Sequence, residues 1–362
     1  MNTKKNTDNF KIGIYSPYIN TFGGGEKYLF NIAQYLSRKH DVSFFSEESV
    51  KQKVKEIFNI NLDRVHFLSN SLLRTKNLFN KYLFLRNFDI FFFMTDGSVF
   101  FPLSGKNFLI IQSPAHIPSK TIVNRFKFIK KWKMLCYSNF IRSIIKKRLS
   151  FNAQILAPCI DPNTYSSKFD RKDNIILTVG RFFPRPHNKK QDLLIDIFKS
   201  NYKQYFKGWK LVIAGGLTEE GGKKVLEKLK HQAVGYPIEI LVNLTFNKLV
   251  ECYRSAKLYW HATGLNEDLD HYPERAEHFG ITTLEAMAAG TVPLVYDAGG
   301  QKDIVVNGTN GYLWKSNYQL IRQSSKLIRN DRLLTKFSDL AVKRAQDFSC
   351  EHFYAKLEKI IS

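Results

Sequence analysis

The sequence lacks the features of several protein classes. Its 362 residues include only four cysteines, and no two of them form a C-x-x-C pair. This pattern predicts neither a disulfide framework nor a zinc site, and it is typical of a reducing compartment. The polar N-terminus lacks the apolar core of a signal peptide, and the most apolar stretch, residues 88–103, is interrupted by Asp89, Asp96 and Gly97. We therefore expect a cytoplasmic protein without a membrane span.

Acidic residues are missing from a long central segment. Between Asp96 and Asp161 the chain has eleven Lys and Arg residues and no Asp or Glu, and the whole sequence has a net charge of +23. Such a basic field attracts anionic lipid, nucleic acid or phosphorylated substrates. An ordinary solvated surface is the alternative. No helix-turn-helix, zinc-finger or RNA-recognition signature accompanies the charge, so we expect no nucleic-acid partner.

Short apolar runs alternate with amphipathic segments along the whole chain. Residues 10–16 and 174–179 have the composition of buried strands, and residues 26–38 and 190–200 have the periodicity of helices. Such alternation predicts an α/β fold with parallel sheets and right-handed crossovers. The length favours two domains, because a domain typically holds ~150 residues. The polar stretch 162–172 is the candidate boundary between them.

Two turns at strand ends could bind an anion. In the first, Gly23, Gly24 and Gly25 open the first predicted helix, where backbone can approach a ligand closely and helix-start amides favour anionic oxygen. In the second, Arg181 follows the strand 174–179, and Lys189 lies eight residues further on. Ligands of open α/β sheets bind at the carboxyl ends of strands, and Arg and Lys suit phosphate. A plain turn and two surface cations are the alternatives.

The segment 277–290 carries the most specific pattern. Seven residues separate Glu277 from Glu285, and Gly280 lies between them. Two carboxylates can therefore flank one ligand, one from a loop and one from the following helix. Carboxylates accept hydrogen bonds from paired hydroxyls, whereas amides at the helix start suit phosphate. A helix cap with ordinary acids in its first turns is the alternative.

These segments together resemble the retaining glycosyltransferases of family 4. The sequence EHFGITTLEAMAAGTVPLVYDAGGQKDIV (277–305) is similar to the C-terminal signature of that family. Further segments match in the family's order: Phe22–Glu26, Tyr137–Arg142, Ala157–Asp161, Gly180–Arg181 with Lys189, Ala214–Gly216 and Trp260–Gly264.

The resemblance implies the GT-B fold, in which two Rossmann-like domains with parallel sheets face each other across a cleft. We expect an acceptor-side domain at residues 1–168 and a nucleotide-sugar-binding domain at residues 169–345. The C-terminal helix at residues 346–362 is expected to cross back to the first domain.

The implied activity is transfer of a hexose from a nucleoside diphosphate sugar, with retention of configuration, to a hydroxyl of a glycan or lipid-linked acceptor. GDP-mannose is the first expectation for the donor, and UDP-hexoses follow. By the same likeness the catalytic residues are Glu277, Arg181, Lys189 and His116. The residues expected to bind the donor are Gly24, Gly25, Arg181, Lys189, Gly280, Ile281, Thr282 and Glu285.

Two assignments stay open in the sequence. Lys190 could replace Lys189 beside the diphosphate, because the register is uncertain by one residue. Either Gln112 or His116 could face the donor sugar, since Gln112 stands where many relatives have histidine.

The D-x-D spacing after Glu267 resembles a metal-binding pattern of another transferase fold. Because cations of the protein can hold the diphosphate instead, we expect no metal and no cofactor.

The basic segment 120–148 mixes cations with aromatic residues, which is typical of a membrane surface. We expect peripheral attachment at the inner face of an anionic membrane, with a soluble helix as the alternative.

Two other functions compete with sugar transfer: a GT-B nucleotide-sugar epimerase and, remotely, a basic nucleic-acid-binding protein.

Overall fold

The computed structural model describes residues 9–19, 22–74, 83–166, 172–184, 188–217 and 220–362, apart from the side chains of residues 72, 125, 129–131 and 220. The chain forms two compact units. The first comprises residues 1–137, 141–156 and 354–362, and the second comprises residues 138–140 and 157–353.

The first unit contains a seven-stranded sheet in the order β3-β2-β1-β4-β5-β6-β7, and every neighbouring pair is parallel. Its strands are β1 (Lys11–Tyr15), β2 (Asp41–Phe45), β3 (His66–Leu68), β4 (Ile90–Met94), β5 (Lys106–Ile111), β6 (Trp132–Cys136) and β7 (Gln154–Ile155). Its helices include α1 (Gly24–Leu36), α2 (Val50–Phe58), α3 (Ser71–Arg74), α4 (Ile122–Lys131) and most of α5 (Asn139–Leu149).

The second unit contains a six-stranded parallel sheet in the order β10-β9-β8-β11-β12-β13. Its strands are β8 (Asp173–Val179), β9 (Lys210–Gly215), β10 (Ile238–Val242), β11 (Ala256–His261), β12 (Val292–Tyr296) and β13 (Tyr312–Trp314). Its helices are α6 (Pro162–Tyr165), α7 (Gln191–Asn201), α8 (Glu220–Ala233), α9 (Phe246–Ser255), α10 (Ile281–Ala288), α11 (Gln301–Ile304), α12 (Asn317–Ile328), α13 (Asp331–Gln346) and the start of α14 (Cys350–Ile361).

Apolar residues of the central strands form the cores of both units. All five residues of β4 are buried, as expected for a parallel strand covered on both faces. In the second unit the indole of Trp260, on β11, is fully buried and its Nε1 donates to Ser324 Oγ at 3.0 Å. The α/β class with parallel sheets, predicted from the alternation of segments, is confirmed. The sheets place the carboxyl ends of β8 and β11 side by side.

The units divide at residue 157, twelve residues before the boundary at 168/169 that the sequence suggested. The earlier division follows from α6, whose Tyr165 is buried against Tyr253 of α9 with ring centroids 5.8 Å apart. Residues 167–171, within the predicted boundary, lie outside the described residues. At the other end, residues 354–362 belong to the first unit, where Tyr354 stacks on Tyr35 at 4.0 Å.

The expectation that the cysteines are unpaired is wrong, because Cys159 and Cys350 form a disulfide. Their Cα atoms lie 5.0 Å apart, within the normal range for such a bond. Two backbone hydrogen bonds of Ile160, one from its N–H to Phe348 and one to its carbonyl from Cys350, bring the segments together. The residues are 191 positions apart, so no local spacing could indicate the pairing.

Within the described residues, no helix combines the length and the apolar composition that crossing a membrane requires.

Candidate active site

A partly buried ion pair lies at the carboxyl edge of the second sheet. Lys189, in the loop after β8, donates from Nζ to Oε2 of Glu277 at 2.7 Å. Glu277 lies in the loop before α10, and Gly300 fixes its backbone by donating to its carbonyl oxygen at 2.8 Å. The sequence predicted both side chains at one ligand, and the structure brings them into direct contact.

A histidine that the sequence analysis did not select completes this cluster. His261 is the last residue of β11, and its Nε2 lies 2.9 Å from the same Oε2 of Glu277. Burial alone would raise the pKa of Glu277, but Lys189 and His261 outweigh it and hold that pKa well below its usual range. Glu277 is therefore a carboxylate at neutral pH. Burial lowers the pKa of His261, although Glu277 opposes the shift.

Helix α10 begins beside this cluster. Gly280 precedes its first residue and has a φ of 110°, a conformation that side chains with a Cβ rarely adopt. The amides of Ile281 and Thr282 are in the first turn, where helix amides have no intrahelical acceptor. The Thr282 hydroxyl accepts a hydrogen bond from Tyr259 at 2.8 Å, which fixes its side chain. This turn has the composition of an anion site.

The neighbouring Lys190 points to a different carboxylate. Its ammonium forms a buried ion pair with Glu267, and Arg275 donates to the other oxygen of Glu267 at 2.9 Å. Of the two lysines that the sequence left open, only Lys189 contacts Glu277 in the described structure. Glu267 is thus a structural partner of two cations, while Asp268 pairs with His271 on the surface. No group of three or more His, Cys, Asp and Glu among the described residues could hold a metal ion.

Arg181 lies two residues after the end of β8, at the same edge of the sheet. Its guanidinium carbon lies 5.4 Å from the ring centre of Phe183, and its carbonyl oxygen accepts a hydrogen bond from Gln191. None of the contacts described for Arg181 is with Glu277 or Lys189. Its assignment to the diphosphate stays a prediction.

Glu285 has a separate set of partners. It lies on α10 with 7% of its surface exposed, and each carboxylate oxygen accepts a hydrogen bond from a tyrosine. Tyr165 donates to Oε1 and Tyr253 to Oε2, both at 2.9 Å. Burial, reinforced by Glu285, raises the pKa of both phenols well above the usual range. The sequence missed these tyrosines, because they come from helices 120 and 32 residues away.

The glycine turn belongs to the first unit. Gly23 precedes α1, and its amide donates to the carboxylate of Glu26 at 2.7 Å. Gly24 and Gly25 are the first two residues of the helix. A Cβ at Gly25 would lie 2.0 Å from Oε1 of Gln112, so a larger residue here would displace the Gln112 amide. The Gln112 side chain therefore packs on the turn itself.

His116 lies four residues after Gln112 and has different neighbours. Its ring stacks on Tyr18 with centroids 5.2 Å apart. Burial lowers its pKa, whereas the nearby carboxylate of Asp96 opposes that shift. The two candidates for the polar group near the sugar thus occupy distinct places in the first unit.

Comparison with known families decides the class of the protein. The family described as glycosyl transferases group 1 matches residues 161–344, about half of the chain, including every residue of the Glu277 and Glu285 clusters. The chain belongs to this family. The sequence resemblance is thereby confirmed as far as the group 1 glycosyltransferases, and so is membership in a class of enzymes that transfer sugars.

Two relatives from Dictyostelium discoideum illustrate the sequence similarity. The chain is 28% identical over 296 residues to alpha-1,3/1,6-mannosyltransferase ALG2, covering 68% of each protein. It is 27% identical over 189 residues to GDP-Man:Man(3)GlcNAc(2)-PP-Dol alpha-1,2-mannosyltransferase, covering 48% of this chain and 35% of the relative. The chain therefore spans about a third of the length of one relative and two thirds of the other.

Solved structures share the fold over almost the whole chain. HepE of Anabaena, crystallised with UDP, has a TM-score of 0.73 at 15% identity, and the match covers 98% of this chain and 99% of that one. Sucrose-phosphate synthase of Thermosynechococcus elongatus has a TM-score of 0.70 at 14% identity, with 97% and 98% covered. The GT-B fold expected from the sequence is confirmed.

Proposed function

We propose that the protein is a retaining hexosyltransferase that takes mannose from GDP-mannose and transfers it to a hydroxyl of a glycan or lipid-linked acceptor. The observation that carries this proposal is the Lys189–Glu277 pair beside the start of α10. A cation, a carboxylate and helix-start amides thus lie together at the carboxyl edge of the second sheet, in a chain of the group 1 family.

The proposed chemistry follows from where charge develops. Breaking the bond between sugar and phosphate leaves a diphosphate, which needs positive charge but no acid to protonate it. An ammonium has three N–H donors on a flexible stem, so Lys189 can turn toward a phosphate oxygen. The amides of Ile281 and Thr282 supply further donors, and Glu277 contacts the sugar hydroxyls. The acceptor hydroxyl attacks from the face that the diphosphate leaves and gives its proton to an oxygen of the departing diphosphate, so configuration is retained and the nucleoside diphosphate is released.

The donor assignment draws on the relatives. The names of the two Dictyostelium relatives state mannosyl transfer, and one of them states GDP-mannose. HepE, a structural neighbour, was crystallised with UDP-glucose, so UDP-hexoses are the competing donors. No metal or other cofactor forms part of the proposed reaction.

Transfer of labelled sugar tests this proposal. The purified protein is incubated with GDP-mannose, UDP-glucose or UDP-N-acetylglucosamine, and with lipid-linked oligosaccharides as acceptors, with and without EDTA. We expect label in the acceptor from GDP-mannose, an α-linkage by NMR, and no loss of rate with EDTA. A sugar altered in the absence of acceptor would indicate an epimerase. Transfer from none of these donors would overturn the proposal.

We further propose that the first unit attaches to the inner face of an anionic membrane through residues 120–148. Large apolar side chains are exposed on α4 and next to it, where Ile122 is 75% exposed and Phe126 is 61% exposed. Phe101 is also exposed, with the ammonium of Lys127 5.5 Å from its ring centre. Exposed apolar residues beside cations suit a headgroup region. The side chains of Arg125, Lys130 and Lys131 lie outside the described ones.

Vesicle flotation tests the membrane proposal. We expect the protein to float with vesicles that contain phosphatidylglycerol at low salt, and Phe126→Ser to weaken this binding. Tyr318→Ser is the matched control, because Tyr318 is similarly exposed, at 68%, in the second unit. Flotation that does not depend on anionic lipid, or an equal loss in both variants, would contradict the proposal.

A further inference from the structure

The side chain of Glu277 has one mobile partner and one fixed partner. Lys189 ends a flexible stem, and a quarter of its side chain is exposed. His261 belongs to the strand β11 and is 2% exposed. Both lie within hydrogen-bond distance of the same oxygen, Oε2, at 2.7 and 2.9 Å. The lysine can therefore turn toward an arriving anion, whereas the imidazole is held by the core.

The surroundings of the imidazole determine which nitrogen carries its proton. Glu277 is ionised, so its oxygen accepts and Nε2 of His261 must donate. Thr263 Oγ1 lies 3.2 Å from the same Nε2. The other nitrogen, Nδ1, is buried and has no hydrogen-bond partner among the described residues. A second proton would place an N–H there without an acceptor, so the neutral tautomer with a proton on Nε2 is favoured.

We propose that His261 is a positioning residue, which holds the Glu277 carboxylate in place when Lys189 engages the donor diphosphate. This inference rests on the proposed sugar transfer. The backbone of Glu277 is fixed by Gly300 and its side chain by His261, so the carboxylate keeps its orientation without the lysine. His261 touches neither sugar nor phosphate in this account and acts only through Glu277.

Two substitutions separate positioning from packing. His261→Met fills a similar volume without an N–H donor, and His261→Gln restores a donor. For His261→Met we expect kcat to fall by about 10- to 100-fold, the range for losing one hydrogen bond to a charged group. The affinity for GDP, measured by calorimetry, should stay within about two-fold, because the diphosphate partners remain. His261→Gln should recover most of the lost kcat.

His231→Met is the matched control, since His231 lies exposed on α8. We expect it to leave kcat, GDP affinity and melting temperature unchanged. If Met and Gln at position 261 lower kcat and melting temperature equally, His261 serves only packing and the inference is overturned. An unchanged kcat in His261→Met would overturn it as well.

A readout without turnover distinguishes this inference from the proposed function. Carbon-13 NMR of labelled glutamate, with Glu277→Gln for assignment, follows the titration of the Glu277 carboxyl. Losing the His261 hydrogen bond should move that titration to higher pH in His261→Met, even if no donor is found. If the wild type transfers no sugar but the Glu277 titration is shifted in His261→Met, only the proposed function is wrong. If the titration is the same in both proteins, the proposed role of His261 is wrong.

Discussion

Glu277 and Glu285 belong to one short segment, yet opposite kinds of partner hold them. Glu277 is bound by an ammonium and an imidazole at the sheet edge. Glu285 is bound by two buried phenols within the helical layer. The spacing of seven residues, read alone, suggests two equivalent carboxylates. The structure shows one that is paired with charge and one that is held by neutral donors.

This difference indicates different tasks. An ion pair at a partly exposed edge can rearrange when an anion arrives, because the cation can exchange one acceptor for another. Two tyrosines anchored in packed helices cannot rearrange in this way, and their raised pKa values keep them protonated. We therefore expect changes at Glu277 to affect turnover and changes around Glu285 to affect affinity and stability.

Neutralising Glu277 should give the largest effect. Glu277→Gln keeps the shape but leaves Lys189 without its carboxylate, and we expect kcat to fall by about 1000-fold, as for loss of one major electrostatic group. Steady-state transfer kinetics measure this change. Glu251→Gln, an exposed position on α9, is the control. A loss under ten-fold would mean that the ion pair is structural.

The adjacent lysines provide the next test. We expect Lys189→Met to lower kcat by about 100-fold with little change in stability, because its side chain is at the open edge. Lys190→Met should instead lower the free energy of unfolding by roughly 3 kcal/mol, since it removes a cation that pairs with the buried carboxylate of Glu267. Urea unfolding and transfer kinetics on both variants measure the contrast. A loss of stability in Lys189→Met and a loss of kcat in Lys190→Met would instead assign the donor diphosphate to Lys190.

Removing one phenol from Glu285 should have a smaller effect. We expect Tyr253→Phe to weaken GDP binding by about ten-fold and to lower the free energy of unfolding by about 1–2 kcal/mol, because a buried carboxylate loses a donor. Calorimetry and urea unfolding give the two values. Tyr318→Phe, at an exposed position, serves as control. If Tyr253→Phe lowered only kcat, Glu285 would act in turnover as Glu277 does, and the two carboxylates would not have different tasks.

The pH dependence should show the smallest change. The pKa of Glu277 is depressed, so its contribution to stability is complete above about pH 4.5 and is lost as the pH falls through the folded pKa. Glu277 should therefore stay ionised between about pH 5 and 8, and its titration should cause no change in wild-type kcat in that range. In Lys189→Met the lysine no longer opposes the effect of burial, so the pKa of Glu277 should be higher than in the wild type. The residual activity should therefore rise with pH in that range. A flat profile in the variant would show that His261 alone keeps Glu277 ionised.

Most of the fold could be predicted from the sequence, because apolar runs and periodicity are local signals. The apolar runs at residues 238–242 and 292–296 predict two strands, and β10 and β12 have these bounds. Strands β3 and β13 were not predicted, since three residues carry too little pattern. The sequence predicts a helix at residues 283–289, whereas α10 begins at Ile281, because β-branched residues obscure the start of a helix that follows Gly280.

The candidate site could be predicted only in part. Lys189 and Glu277 stand in recognisable motifs, but their contact joins residues 88 positions apart. His261 had one usable signal, which is a polar residue at the end of a buried strand. Tyr165 and Tyr253 had none. Tyr165 lies in the polar stretch predicted as the domain boundary, and Tyr253 lies in an amphipathic helix, where a tyrosine normally indicates packing. Partners that converge from distant elements are fixed by the tertiary structure, which the local pattern does not contain.

The bond between Cys159 and Cys350 has a consequence for the integrity of the chain. It joins residues 191 positions apart and encloses nearly the whole second unit in one covalent loop. A protease that cuts once within this loop would leave both fragments attached until a reductant is added. The oxidised molecule would thus survive nicking as a single species, and the reduced molecule would separate into two.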